Sequence, residues 1–168
     1  MKVVFSKTRD VCAVWASQSQ EKARNGGNTW CRGPELGSYG TVIARIVTSA
    51  AGQPIALVSL NRYSKTTAVV IGEATDEARK SGLAVYVVPR FDAAGHVENL
   101  ASFDRRIEEK IAGLKKAVRW DSARTWRSEA LQLIATANLY ARDFDQAWKW
   151  RGENPIAVIN KHELAWAA

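Results

Sequence analysis

Two apolar, β-branched runs in the middle of the chain constrain its fold more than any other feature. The runs, Thr41–Thr48 and Pro54–Leu60, are separated by the turn-like linker Ser49–Gln53. β-branched residues are enriched in strands, and two strands joined by a short linker pair as an antiparallel hairpin. The sequence therefore predicts a β-hairpin over residues 41–60.

Helical periodicity precedes this hairpin. Val11, Val14, Trp15 and Ala23 recur at helical spacing, and Asn25-Gly26-Gly27 follows as a stop signal. This pattern predicts a helix over about Thr8–Asn25. The stretch from Asn28 to Gly40 contains Gly33-Pro34 and Gly37 and lacks a period, so we expect loop and short strand there.

A second helix is predicted directly after the hairpin. Thr66 provides an N-cap, the apolar positions from Ala68 to Ala78 follow, and Ser81-Gly82 ends the helix. Leu83–Val88 then reads as a strand that Pro89 stops. The first half of the chain thus alternates strands and helices.

From Asn99 onward the pattern changes to long helices. In the first helix, apolar residues recur at steps of four, four, three and four positions and form a continuous stripe. Asp121 can act as the N-cap of a second helix, which can break near Asp143. The first stripe is Phe103, Ile107, Ile111, Leu114 and Val118, and the second is Trp126, Ala130, Leu133, Ala137, Tyr140, Phe144 and Trp148. Two such helices form an antiparallel hairpin. Asn154–Ile159 is expected to add a short strand.

These elements predict an α+β fold: a small, mostly antiparallel sheet with packed helices and a C-terminal helical hairpin. At 168 residues one domain is expected, with an α/β lobe over 1–95 and a mainly helical lobe over 96–168. No apolar run approaches the roughly 20 residues that cross a bilayer, so no membrane association is expected. Cys12 and Cys31 could pair, but buried reduced thiols are favoured.

Positive charge is concentrated in the first half of the chain. The net charge is +7; residues 1–95 hold 12 Lys and Arg against 7 Asp and Glu, whereas residues 96–168 hold 12 against 10. Excess cations raise affinity for polyanions through counterion release, although a moderate excess also serves solubility alone.

Residues able to perform catalysis are sparse. His96 and His162 are far apart, are expected to be solvated, and do not have metal-ligand spacing with either cysteine, so no metal or cofactor is predicted. A magnesium-dependent nuclease is an alternative, because carboxylates could hold Mg²⁺. Those carboxylates lie on predicted helices beside cations that explain them as solvated faces: Glu73, Asp76, Glu77, Glu108, Glu109, Asp143 and Asp145. A binding role is favoured over an enzymatic one.

A basic and aromatic set in the first half remains as a candidate binding site. Arginine and lysine contact phosphates and aromatic rings stack on bases. The set is Arg24, Asn25, Tyr39, Arg45, Arg62, Tyr63 and Lys65. The alternative, equally open, is that Arg24 or Arg45 is tied to a carboxylate or to carbonyls inside the fold and the tyrosines cover the core.

The seven tryptophans allow a different role, that of an inhibitor docking on a host protein. Trp15, Trp126 and Trp148 lie on apolar stripes and are expected in the core. The four others are free to contact a partner: Trp30, Trp120, Trp150 and Trp166.

Several short motifs over residues 11–67 together resemble a domain of small bacteriophage and prophage proteins. They are Trp15-Ala16-Ser17-Gln18-Ser19-Gln20, Ala23-Arg24-Asn25-Gly26-Gly27-Asn28, Gly37-Ser38-Tyr39-Gly40, Ile43-Ala44-Arg45 and Asn61-Arg62-Tyr63-Ser64-Lys65-Thr66-Thr67. The resemblance implies a phage-encoded protein in the cytoplasm of a bacterial host. Such proteins are often accessory factors that touch the genome or disable a host defence.

The leading hypothesis is accordingly a non-enzymatic phage accessory protein that binds a polyanion. Its expected target is nucleic acid or a host ribonucleoprotein or defence complex that carries it, as an anti-CRISPR inhibitor would.

Overall fold

The chain forms two compact units. A computed structural model describes residues 3–61 and 63–158. The units are Met1–Gly95 and His96–Ala168, a division at the boundary between the two expected lobes. Over the residues described, no helix is both long and apolar enough to span a membrane.

In its described residues, the first unit is a seven-stranded sheet whose spatial order follows the order of the chain. The outermost pairs at both edges are parallel, and the four pairs between them are antiparallel. The strands are β1 (Val4–Phe5), β2 (Lys22–Asn25), β3 (Thr29–Arg32), β4 (Glu35–Ser38), β5 (Thr41–Thr48), β6 (Pro54–Ser59) and β7 (Ala84–Val88). Helix α1 (Thr8–Ser17) connects β1 to β2, and α2 (Lys65–Lys80) connects β6 to β7.

Helices α1 and α2 cover one face of this sheet, here called the inner face. Trp15 is completely buried there, and its Nε1 donates a hydrogen bond to the carbonyl of Pro34 at 2.8 Å. Cys12 and Cys31 are buried in the same core as free thiols, as expected. Burial, with a smaller effect from the Glu73 carboxylate, raises the pKa of Cys12 and keeps its sulfur protonated.

The β5–β6 hairpin, the C-terminal helical pair and the α+β class are confirmed. The first helix is shorter than predicted, because it ends at Ser17 and Gln18 adopts a left-handed φ of 50°. Residues 22–25 form β2, so Arg24 and Asn25 lie on a strand and do not end a helix. Ala23 matched the helical period only by coincidence.

Two further boundaries differ from prediction. The N-cap of α2 is Ser64 and not Thr66, since the Ser64 hydroxyl accepts a hydrogen bond from the Thr67 amide at 3.1 Å. The stretch 28–40, expected as loop and short strand, contains both β3 and β4. The predicted end of α2 is confirmed, with Gly82 at a φ of 77°.

The second unit contains α3 (His96–Lys116) and α4 (Trp120–Asp143), which pack against each other. Ile107, Ile111 and Leu114 of the predicted stripe are buried. Val118 lies in the segment that connects α3 to α4, and it is exposed. Helix α4 ends at Asp143, so Trp148 lies beyond it. Residues 154–158 form a turn and not the expected strand, and residue 159 lies outside the described residues.

His96 is not a solvated loop side chain. It is the first residue of α3, and its Nδ1 is 2.7 Å from the hydroxyl of Tyr140, which also accepts a hydrogen bond from Asn99 Nδ2 at 2.7 Å. Its ring packs against Phe144 with the centroids 4.6 Å apart. The partner lies 44 positions away, which no local pattern could indicate. His162 lies outside the described residues.

Candidate nucleic-acid interface

The strand register brings basic residues together on the face of the sheet opposite α1 and α2, here called the outer face. Side chains alternate between the two faces of a strand, and Ala23 and Cys31 point into the inner core. Lys22 and Arg24 therefore lie on the outer face of β2, directly across from Arg32 and Trp30 of β3. We call these four residues the basic patch.

The three cations of the basic patch have no ion-pair partner among the residues that the structure describes. Lys22, Arg24 and Arg32 are exposed, and within residues 3–61 and 63–158 no carboxylate forms a salt bridge with any of them. Lys22 and Arg32 are direct cross-strand neighbours, an arrangement in which like charges repel and destabilise the sheet. Positive potential is thus concentrated over β2 and β3.

Trp30 provides the aromatic surface of the basic patch. It lies opposite Gly37 of β4, and its Nε1 donates a hydrogen bond to the backbone carbonyl of Tyr39 at 2.7 Å. A Cβ at position 37 would be only 2.2 Å from Cε2 and Cζ2 of the indole. The ring therefore fills the space that a side chain at position 37 would need, and both contacts fix its position on the sheet.

Replacing Gly37 with alanine should consequently displace this indole. We expect the free energy of unfolding to fall by about 1–3 kcal/mol, as in other overpacked sites. Chemical denaturation measures the change, and Gly40→Ala is the matched control because nothing lies within 4 Å of a Cβ there. Equal stability of the two variants would show that the indole has room to move.

Arg45 also lies on the outer face, but its charge is compensated. Its Nη2 donates to Oε1 of Glu35, directly across on β4, and the two side chains are 35% and 31% exposed. Of the two arginines for which an internal ion pair was the alternative, Arg45 has one, and Arg24 has none among the described residues. Arg45 thus contributes little net charge to the surface.

Asn25 has its side chain occupied within the first unit. Its Nδ2 donates to Thr8 Oγ1 at 3.0 Å, and its Oδ1 accepts from the backbone amides of Gly27 and Thr29, each at 3.0 Å. These bonds join the β2–β3 turn to the start of α1. Asn25 therefore shapes the turn.

Two other predicted binding residues, Tyr39 and Tyr63, lie in loops at one end of the sheet. Tyr39 occupies the β4–β5 turn with a φ of 54° and is 53% exposed, and Tyr63, before α2, is 61% exposed. Lys65 is the exposed first residue of α2. Arg62 lies outside the described residues. The predicted set is therefore divided between this loop end and the outer face.

The four tryptophans proposed as partner contacts differ in exposure. Trp120 is 49% exposed at the start of α4, with the Arg124 guanidinium 4.5 Å from its ring centroid. Trp30 and Trp150 are half-buried, and each donates its indole N–H to a backbone carbonyl. Trp166 lies outside the described residues. From the sequence, Trp30 was predicted to contact a protein partner. Its position directly across from Arg24 depends on the pairing of β2 with β3, which the sequence does not show.

The carboxylates considered for a magnesium site do not gather into one. In the part of the chain that the structure describes, no group of three or more His, Cys, Asp or Glu side chains is placed to hold a metal ion. Glu77 instead pairs with Arg9 at 2.7 Å and Lys80 at 2.8 Å. The hydrogen bonds from Lys80 and Arg9 lower the pKa of Glu77.

Comparison with protein-family models, curated proteins and solved structures finds no match for this chain. The fold and surface by themselves define a basic α+β protein with an aromatic side chain beside three exposed cations of β2 and β3 that form no ion pair among the described residues.

Proposed function

We propose that this chain binds nucleic acid through the basic patch of Lys22, Arg24, Trp30 and Arg32. The observation that carries the proposal is the direct pairing of Lys22 with Arg32, neither of which forms a salt bridge among the described residues. Glu35, across from Arg32 on β4, pairs with Arg45. Like charges placed opposite each other cost stability, and an incoming phosphate would relieve that cost. A sheet face with a positively charged surface and a stacking ring is a common platform for single strands.

The local shape agrees with this use. A shallow depression of about 180 Å³ is lined by the four residues of the basic patch together with Val3, Ala23 and Cys31. Neighbouring strands are about 4.8 Å apart, so the cations of β2 and β3 are neighbours of the indole on the sheet. Trp30 can stack on a base while the cations hold the backbone.

The resemblance to bacteriophage and prophage proteins supports a biological setting for the proposal. A phage-encoded protein with this surface would act as an accessory factor on the genome or on a host defence complex that carries nucleic acid, such as a CRISPR effector. Host ribonucleoproteins present the same phosphate chemistry as the free strand, so the basic patch fits either form.

The test is a salt titration of binding to labelled single-stranded oligonucleotides, followed by fluorescence anisotropy. Three phosphate contacts to a single strand predict a slope of log K against log salt of about −2. Binding that is unchanged by salt, or no binding at low salt, would contradict the proposal. Duplex of the same sequence is the comparison, and we expect it to bind more weakly because its bases are not free to stack on Trp30.

A second candidate function is docking on a host protein through Trp120. This ring is exposed and carries Arg124 over its face, and Trp and Arg are the residues most enriched in interface hot spots. Capture from the bacterial host with and without nuclease distinguishes the two functions. A protein partner that survives nuclease and is lost in Trp120→Ala would favour docking; a partner released by nuclease would favour nucleic acid.

A further inference from the structure

The second unit contains a groove that the basic patch does not explain. Its volume is about 350 Å³, and it lies between α3 and the segment that follows α4. Asp104 and Glu108 contribute from α3, and Trp148, Lys149, Trp150 and Arg151 contribute from the segment. Aromatic and basic residues alternate along this segment, and single-strand binding surfaces combine these two residue types.

Hydrogen bonds hold both indoles of the groove in place. Trp148 Nε1 donates to Asp104 Oδ1 at 3.1 Å, and Trp150 Nε1 donates to the Glu153 carbonyl at 3.0 Å. Both indoles are half-buried against the apolar core of the second unit, and with their N–H groups occupied their exposed surface offers a ligand apolar contact but not a hydrogen-bond donor. The groove is therefore prepared for a flat, stacking group.

The charged side chains of the groove are not paired with one another. Asp104 and Glu108 lie one helical turn apart on α3, and across the described ranges neither forms a salt bridge. The same holds for Lys149 and Arg151. The lining thus presents the Glu108 carboxylate, the second oxygen of Asp104 and two cationic donors to whatever enters.

This combination selects among ligands by charge. A simple anion would be repelled by the two carboxylates, and a basic peptide would meet Lys149, Arg151 and a chain of net charge +7. A nucleotide satisfies all the groups, because its phosphate faces the cations, its ring stacks on an indole and an exocyclic amino group donates to a carboxylate.

We propose that this groove binds a nucleobase that carries an exocyclic amino group, with Glu108 accepting from that group. The proposal deepens the proposed function, since it assigns base selection to the second unit and rests on nucleic acid being the ligand. Cytosine offers its N4 amino group to a carboxylate, whereas thymine offers the O4 acceptor at the same position and would repel it. Oligo(dC) is therefore bound in preference to oligo(dT).

The experiment compares oligo(dC) and oligo(dT) of about ten nucleotides with the full chain, by anisotropy at one salt concentration. We expect oligo(dC) to bind about tenfold more tightly, as one good base contact provides. Glu108→Gln should reduce this ratio to about one, because an amide presents both a donor and an acceptor and accommodates either base. Glu109→Gln is the matched control: it is exposed on the same helix but does not line the groove, and should keep the wild-type ratio.

The two proposals fail in different ways. Equal affinity of the wild type for the two oligomers overturns the groove proposal even if binding remains salt-dependent, and so does tighter binding of an oligolysine peptide than of oligo(dC). Charge reversal of the basic patch should weaken both oligomers and leave their ratio intact. If that reversal has no effect while Glu108→Gln abolishes the ratio, the groove stands and the basic patch fails.

Discussion

Reversing the three cations of the basic patch together, Lys22→Glu, Arg24→Glu and Arg32→Glu, is expected to reduce affinity for single-stranded nucleic acid by at least about a hundredfold at low salt. Each substitution removes a phosphate contact and places a repelling carboxylate beside the strand. All three side chains are exposed and have no ion pair in the described chain, so the fold should survive the change. The slope of log K against log salt should approach zero or change sign.

The control for this result is a second triple reversal with the same change in net charge. Arg79→Glu, Arg105→Glu and Lys116→Glu replace exposed cations on α2 and α3 that make no ion pair among the described residues. If affinity depends on net charge alone, both triple variants lose it equally. A large loss confined to the first variant assigns binding to the outer face.

Replacing Trp15 with alanine should cost about 4 kcal/mol of folding free energy, the largest stability effect that we expect from one substitution. Trp15 belongs to α1, and its side chain is fully buried in the core between this helix and the sheet. Its removal leaves a cavity, and it leaves the carbonyl of Pro34 without its hydrogen-bond donor. Urea denaturation measures the loss. Trp120→Ala removes the same side chain from a site that is 49% exposed and should cost under about 1 kcal/mol. Similar losses in the two variants would contradict the packing described for α1.

The fold class and most elements were predictable because they depend on local patterns. The runs at 41–48 and 54–60 formed the hairpin, and the stripe from Phe103 to Leu114 formed α3. Short strands were harder to predict from the sequence. The strand Lys22–Asn25 shows only four residues of alternation, and the helix before it ends without a glycine to mark its end. Trp148 had the correct helical phase, but α4 ends before it.

The site was less predictable, because it depends on pairings between distant residues. Arg24 was identified from its charge, yet its neighbours Lys22 and Arg32 became visible only through the register of β2 with β3. Arg45 looked equivalent to Arg24 in sequence, and only the cross-strand position of Glu35 showed that it is compensated. Asp104 and Trp148 meet across 44 positions, a separation over which no spacing rule applies.

The order of the sheet, in which every strand pairs with its neighbours in the chain, bears on how the protein is made. Each new strand pairs with the strand synthesised just before it, so no pairing in this sheet has to span more than one connecting helix. All seven have been synthesised before the residues of α3 begin. Assembly of the amino-terminal unit can therefore proceed in step with translation, which limits the time that its unpaired edges are open to aggregation.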